Sequence, residues 1–302
     1  MEKHRIATGQ LSGIFLITAA VLLLSLSDAV VKLSGARYGL AQLILLRSLG
    51  ACLLLFVVAR LWRHEIITRA PLWVTLRSLS LVAMWLFYYA ALPMLSFALA
   101  AACFYTSPLW MALLSRLILK QPLGRTRTVA VFLGVAGVFL AVNPFVQAPT
   151  FWVLLPLAAA FCYALAAVIT WQKCRDEGAF AMAFNLNVLL TIAAAALIAG
   201  LAMVGVDAPG SFVFSLWPVL AARDWAVLGM LAVFMVIIAT SVAGAYRLAP
   251  APVIGLFDNA YLVFAAIWGV VFFDQFPGPV ELAGMMLILS GAALAALAPP
   301  AR

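Results

Sequence analysis

Residues 95–141 read LSFALAAACFYTSPLWMALLSRLILKQPLGRTRTVAVFLGVAGVFLA, an apolar helix, a short polar break and a second apolar helix. Residues 249–295, APAPVIGLFDNAYLVFAAIWGVVFFDQFPGPVELAGMMLILSGAALA, repeat that layout 154 positions later. Setting Gln121 on Gln275 also superposes Ala112 on Ala266, Leu133 on Leu287, Gly137 on Gly291, Leu140 on Leu294 and Ala141 on Ala295. The identities are few, but the offset is close to half of the 302 residues. A duplicated half-protein gives that spacing, which divides the chain into repeats over 1–148 and 149–302.

Composition fixes the class. Hydrophobic residues make up 67% of the chain and charged ones only 9%, with a mean hydropathy of +1.17. A soluble domain keeps about a quarter of its residues charged to cover its surface. This is a polytopic membrane protein, with the lipid bilayer as its solvent. The formal net charge of +8 sits in short clusters between apolar runs; it forms no continuous basic face, so nucleic acid is not the partner. Cys52, Cys103, Cys162 and Cys174 show no metal or disulfide spacing. With only His4 and His64, no glycine-rich phosphate loop and no paired histidines, the sequence predicts no cofactor, no metal and no ATP hydrolysis.

About 20 apolar residues span the hydrocarbon of a bilayer. Ten such helices are predicted at 11–33, 39–60, 71–91, 94–116, 127–146, 151–173, 179–203, 224–247, 250–273 and 279–298. The first is too long for a signal h-region, and Asp28 interrupts the place of a cleavage site. The connections are short, so neighbouring helices are expected to pack as antiparallel hairpins. Val204 to Arg223 is the long exception and reads as an interfacial flap or a variable loop. Thirteen of the 18 Lys and Arg residues fall on one side when the N-terminus is cytoplasmic: Lys3, Arg5, Arg60, Arg63, Arg69, Arg116, Lys120, Arg125, Arg127, Lys173, Arg175, Arg247 and Arg302. Basic loops stay inside, so a multi-pass protein of the cell (inner) membrane with both termini cytoplasmic is expected. Five helices per half is an odd number, so the all-α fold is two inverted five-helix repeats.

Charged and polar groups within these helices carry the function, because a charge at mid-bilayer costs about 3 kcal/mol and persists only against protein or water. Asp28 and Lys32 are four apart on one helix face, and Arg47 lies at similar depth. The three form an outer gate, an anion-binding patch or a structural ion pair. Asp258 is the leading carboxylate, about 12 Å from the cytoplasmic end at 1.5 Å per residue. Arg77 lies at comparable depth, as a partner for it or as a side chain reaching for lipid phosphates. A buried carboxylate that alternates between a cation and a proton is how a carrier couples to a gradient. The offset places Asn259 on Tyr105 and Asp258 on Phe104, so the fourth and ninth helices are expected to line the centre. Pro108 removes a helical donor beside Tyr105 and Thr106. Tyr88 and Tyr89, with Trp85, Phe87 and Tyr163, supply an aromatic wall or part of an interfacial belt.

Asp28-x-x-x-Lys32, Arg47, Arg77, Leu86-Phe87-Tyr88-Tyr89-Ala90, Phe104-Tyr105-Thr106-Ser107-Pro108-Leu109, Leu119-Lys120-Gln121-Pro122 and Gly134-Val135-Ala136-Gly137-Val138 resemble one family. It is the drug/metabolite transporter superfamily, specifically its ten-helix EamA-type members, and the resemblance covers nearly the whole chain. It implies inverted repeats around a central cavity and alternating access for a small organic solute such as an amino acid, a nucleoside-like metabolite or a drug. Gln121 and Gln275 stand where many members are acidic, and Leu99 stands where members similar to S-adenosylmethionine carriers have aspartate.

The expected function is therefore secondary transport of a small organic metabolite, not catalysis, with protons or a counter-transported solute as partner. Tyr88, Tyr89, Tyr105, Asp258 and Asn259 are the expected substrate-binding residues. Asp28, Lys32, Arg47 and Arg77 are the gating or ion-pair residues. An S-adenosylmethionine-type carrier or exchanger is the alternative, and an intramembrane enzyme or a membrane scaffold the alternative of another class. Residue types do not give the oligomeric state.

Overall fold

A computed structural model describes residues 2–35, 37–63, 65–119, 125–142, 151–174, 176–248 and 257–297. His64, Lys120, Gln121, Pro122, Arg175 and Arg302, with positions 143–146 and 250–256 of the expected fifth and ninth helices, lie outside the described residues.

The described chain is helical: α1 (Glu2–Ser34), α2 (Leu40–Trp62), α3 (Pro71–Ala91), α4 (Phe97–Phe104), α5 (Ser107–Leu119) and α6 (Arg125–Val142) make up the first half. A 3-10 turn (Phe151–Val153) then leads into α7 (Leu154–Lys173), α8 (Ala179–Val204), α9 (Ala222–Leu248), α10 (Ala260–Phe273) and α11 (Pro279–Leu297). Six of these are long and apolar enough to cross a membrane alone, and four shorter apolar stretches, at Phe97–Met111, Thr128–Ala141, Ala260–Phe273 and Pro279–Gly291, bring the total to ten. This is an all-α integral membrane fold.

The fourth expected span is not one helix. It breaks at Tyr105 and Thr106, because proline at 108 has no N–H to offer the carbonyl of Phe104. The turn is closed locally: the Thr106 amide and hydroxyl both donate to the Cys103 carbonyl, at 3.3 and 2.7 Å. The ninth span is interrupted too, with Phe257 and Asp258 helical, Asn259 a turn and α10 beginning at Ala260. Tyr105 and Asn259 are 154 positions apart, the offset at which residues 95–141 and 249–295 align.

Consecutive helices do not pack as the expected hairpins. Each helix finds its main partner in the other half of the chain: α6 on α11, α3 on α7, α1 on α9 and α10, α2 on α8 and α9, and α4 on α10. Short connections fix the antiparallel sense of neighbours without fixing which surfaces fit. Exchanging the halves maps α3 on α7 onto α9 on α1, and α2 on α9 onto α8 on α3, while α6 on α11, α2 on α8 and α4 on α10 map onto themselves. The helix pairings are therefore symmetric under exchange of the two halves.

Small residues let the α6–α11 backbones approach, which is how helices associate where lipid removes the hydrophobic drive. A Cβ on Gly137 would lie 2.7 Å from the Gly284 carbonyl oxygen, and one on Gly291 would lie 2.8 Å from the Ala130 oxygen. At one end of the bundle the long 204–223 connection is strapped down. The Leu40 amide donates to the Phe212 carbonyl at 2.6 Å, Gln42 Nε2 to the Pro218 carbonyl at 2.9 Å, and Tyr38 Oη to Asp224 Oδ1 at 3.1 Å. At the opposite end, Glu177 Oε1 and Oε2 accept from the amides of Ala70 and Arg69 at 2.6 and 3.1 Å, at the start of α3.

Candidate functional site

Asp28 sits in α1 one turn before Lys32 and is 3% exposed. Its Oδ1 accepts from the Tyr89 hydroxyl at 3.2 Å and its Oδ2 from the Tyr261 hydroxyl at 2.5 Å. The Tyr261 and Tyr88 hydroxyls share a hydrogen bond of 3.1 Å. One carboxylate thus gathers α1, α3 and α10, elements of both halves.

Arg47, 1% exposed in α2, donates from Nη1 to the Tyr89 hydroxyl at 2.5 Å. Its guanidinium lies over the faces of Trp85 and Tyr89, 4.8 and 5.2 Å from the ring centroids. Nε and Nη2 have no acceptor among the described residues. Asp28 and Arg47 do not form the direct ion pair that their shared depth suggests. Nor do Asp28 and Lys32: the Lys32 ammonium turns away and donates to the carbonyls of Leu92 and Leu95, each at 2.5 Å, over the ring of Phe273. Carbonyls at the end of α3 have no intrahelical donor, and a lysine one turn above Asp28 is the cation within reach of them.

The aromatic wall connects this cluster to the helix breaks. Tyr105, at the end of α4, stacks on Tyr261 with centroids 4.9 Å apart and planes 23° from parallel. Phe104 packs between Tyr88 and Tyr163, at 5.1 and 5.5 Å. Tyr88 and Tyr89 are buried, at 3% and 0% exposure, and so belong to the core and not to an interfacial belt.

Asp258 and Asn259 lie at the other break. Asn259 is buried and its Nδ2 has no acceptor among the described residues. The Asp258 carboxylate, half-buried, makes no hydrogen bond or ion pair among the described residues, and Tyr105 and Tyr163 fall within its electrostatic range. Arg77 does not neutralise it. Its Nε donates to Thr170 Oγ1 at 3.3 Å and its Nη1 to the Met182 carbonyl at 3.4 Å, so Arg77 fastens α3 to α7 and α8. Short acceptors on the helices against which α3 packs satisfy it before the carboxylate can.

The structure therefore brings Asp28, Arg47, Tyr88, Tyr89 and Tyr105 into one connected group, sets Asp258 and Asn259 beside it, and leaves Lys32 and Arg77 outside. Tyr261 is the central residue that the sequence reading missed. Its spacing of three from Asp258 was the available signal, since residues i and i+3 share a helix face. Gln275, singled out for lacking charge, accepts the Phe97 amide at 3.0 Å and caps α4. Among the described residues no cluster of His, Cys, Asp or Glu could hold a metal.

Ten apolar spans, two of them broken where they meet buried polar and aromatic side chains, define a multi-pass membrane protein of the discontinuous-helix kind. Residues 11–143 match the EamA-like transporter family, so the first half of this chain is EamA-like. The riboflavin transporter of Brucella anthropi is 29% identical over 191 residues, 63% of this chain and 63% of the relative. The chain thus spans less than two thirds of the length of the curated relative it matches. A crystal structure described only as that of a protein shares the fold over 95% of this chain and 97% of its own, with a TM-score of 0.64 at 20% identity. That likeness extends the fold through the second half.

Proposed function

We propose that the protein is a secondary transporter that carries a small organic metabolite across the cell membrane by alternating access, as two inverted repeats over 1–148 and 149–302. The observation that carries this reading is the coincidence of the two helix breaks. Tyr105 and Asn259 interrupt the fourth and ninth spans 154 positions apart; Asn259 Nδ2 has no acceptor among the described residues, and the Asp258 carboxylate lies near Tyr105 and Tyr163. Interrupted helices at mid-membrane free backbone and side-chain polar groups for a solute, which is where such carriers bind. Asp258, Asn259 and Tyr105 are the substrate-facing residues, with Tyr88 and Tyr89 behind them. The thirteen basic residues of the side holding both termini support a cytoplasmic placement of those termini.

The substrate class is a flat, conjugated metabolite. Tyrosine faces at the break suit stacking, and the relative named as a riboflavin transporter supports riboflavin as the first compound to try. The test is flux of riboflavin into liposomes containing the purified protein. Saturable flux that disappears in a folded Asp258→Ala variant is expected. Full flux in that variant removes Asp258 from the mechanism, and no flux of riboflavin, amino acids, nucleosides or S-adenosylmethionine in the wild type removes the transport reading.

A further inference from the structure

We propose that Asp28 is the site at which the protein binds and releases a coupling proton, an inference that rests on the transport reading above for its physiological role but not for its chemistry. The carboxylate is buried and makes no ion pair among the described residues. A lone charge in such a place is unfavourable, and here only neutral hydroxyls meet it, from Tyr89 and Tyr261. Those hydroxyls can also serve the neutral acid. When a proton joins Oδ2 to form the carboxylic O–H, that group donates to the Tyr261 oxygen. Tyr261 turns its own O–H to the Tyr88 oxygen 3.1 Å away. One O–H bond forms, two hydrogen bonds reverse direction, the Tyr88 O–H that donated to Tyr261 turns away from it, and no heavy atom has to move. The carboxyl group is hydrogen-bonded in both protonation states, as a site that loads and unloads a proton requires.

Among the described residues, no element packed around Asp28 brings it a group that fixes its charge. Arg47 of α2 reaches it only through Tyr89, and Lys32 of α1 is occupied by two carbonyls. α3 offers Tyr88 and Tyr89; α4 offers Tyr105 and Cys103; α10 offers Tyr261, with Asp258 one turn before it. The described charges of α9 are Arg223 and Asp224 at its end, where Asp224 faces Arg37 and Tyr38. The hydroxyl chain also links the proton to the broken span, because the ring of Tyr261 stacks on Tyr105 at the break in α4.

The experiment is an infrared titration of the lipid-reconstituted protein, read at the C=O stretch of a protonated carboxyl. The wild type is expected to show a band that disappears as pH rises, absent from Asp28→Asn and kept in Asp258→Asn. If Asp28→Asn does not fold, Tyr261→Phe serves instead. Loss of one donor to the charged form should make the same band persist to higher pH. A band untouched by both changes, or one lost only in Asp258→Asn, overturns the proposal. In liposomes, an inside-alkaline gradient should concentrate riboflavin in the wild type but not with Asp28→Asn, and accumulation driven by sodium instead would also overturn it. A preparation that moves no riboflavin sinks the substrate reading, while the infrared titration still decides the proton site.

Discussion

The hydroxyl of Tyr89 stands between two opposite charges that do not touch: it accepts from Arg47 Nη1 at 2.5 Å and donates to Asp28 Oδ1 at 3.2 Å. Tyr89→Phe leaves both groups short of a buried partner. Hydrogen bonds to charged groups contribute about 1.5–3 kcal/mol, against about 1 kcal/mol for neutral ones. Thermal unfolding in detergent should therefore show a larger loss for Tyr89→Phe than for Tyr88→Phe, which breaks only the hydroxyl pair with Tyr261. Equal losses would mean that the Tyr89 hydroxyl does not link the charges.

The seam between α6 and α11 should tolerate nothing larger than glycine. Gly291→Ala places a methyl 2.8 Å from the Ala130 oxygen and 3.1 Å from the Gly134 nitrogen, both backbone atoms that cannot step aside. Overpacking of this kind costs about 1–3 kcal/mol. Gly200→Ala on α8 meets nothing within 4 Å and should be neutral or stabilising by up to about 1 kcal/mol, since alanine is the better helix former. Melting the two variants side by side checks the contrast.

Glu177 caps the start of α3 by accepting two amides, with its negative charge at the positive end of the helix dipole. Glu177→Ala should cost about 1–2 kcal/mol, the usual loss for a helix cap. Glu177→Gln should recover part of that, because the amide oxygen still accepts one bond. Proteolysis at the connection before Pro71 offers a second readout, faster in the alanine variant and intermediate in the glutamine one.

The stack of Tyr105 on Tyr261 is worth about 1 kcal/mol beyond the area it buries. Tyr105→Phe keeps the ring and should leave flux of the transported solute within about twofold of the wild type, whereas Tyr105→Ala should lower it by roughly tenfold, the equivalent of about 1.4 kcal/mol. A phenylalanine variant as poor as alanine would assign the effect to the hydroxyl and not the ring.

Much of the fold was legible because hydrophobicity marks membrane spans directly. The third expected span, 71–91, coincides with α3, and the others differ at their ends or by an interruption. The break beside Pro108 was legible as missing hydrogen-bond capacity at one residue. Partner choice was not: that α6 belongs with α11 depends on surface relief contributed by glycines far apart in the chain, and only the superposition of Gly137 on Gly291 hinted at it. At the site, residue type and depth brought out Asp28, Arg47, Tyr88 and Tyr89, but depth alone could not distinguish an ion pair from two charges joined through a phenol. Arg77 and Lys32 were read as charges seeking charges. Each is satisfied by uncharged oxygen acceptors, a possibility that counting opposite signs overlooks.

The glycine-lined contact also bears on how the molecule is made. α6 ends at Val142, and the helix that fills its groove, Pro279–Leu297, is the last described element of the chain. During synthesis α6 must wait in the bilayer through about half the protein before its partner arrives, a delay typical of folds dominated by distant contacts. The final helix therefore acts as the closing piece of assembly. Translation halted just before Pro279 would leave nine of ten spans inserted, with the seam unsealed and the chain exposed to membrane quality control.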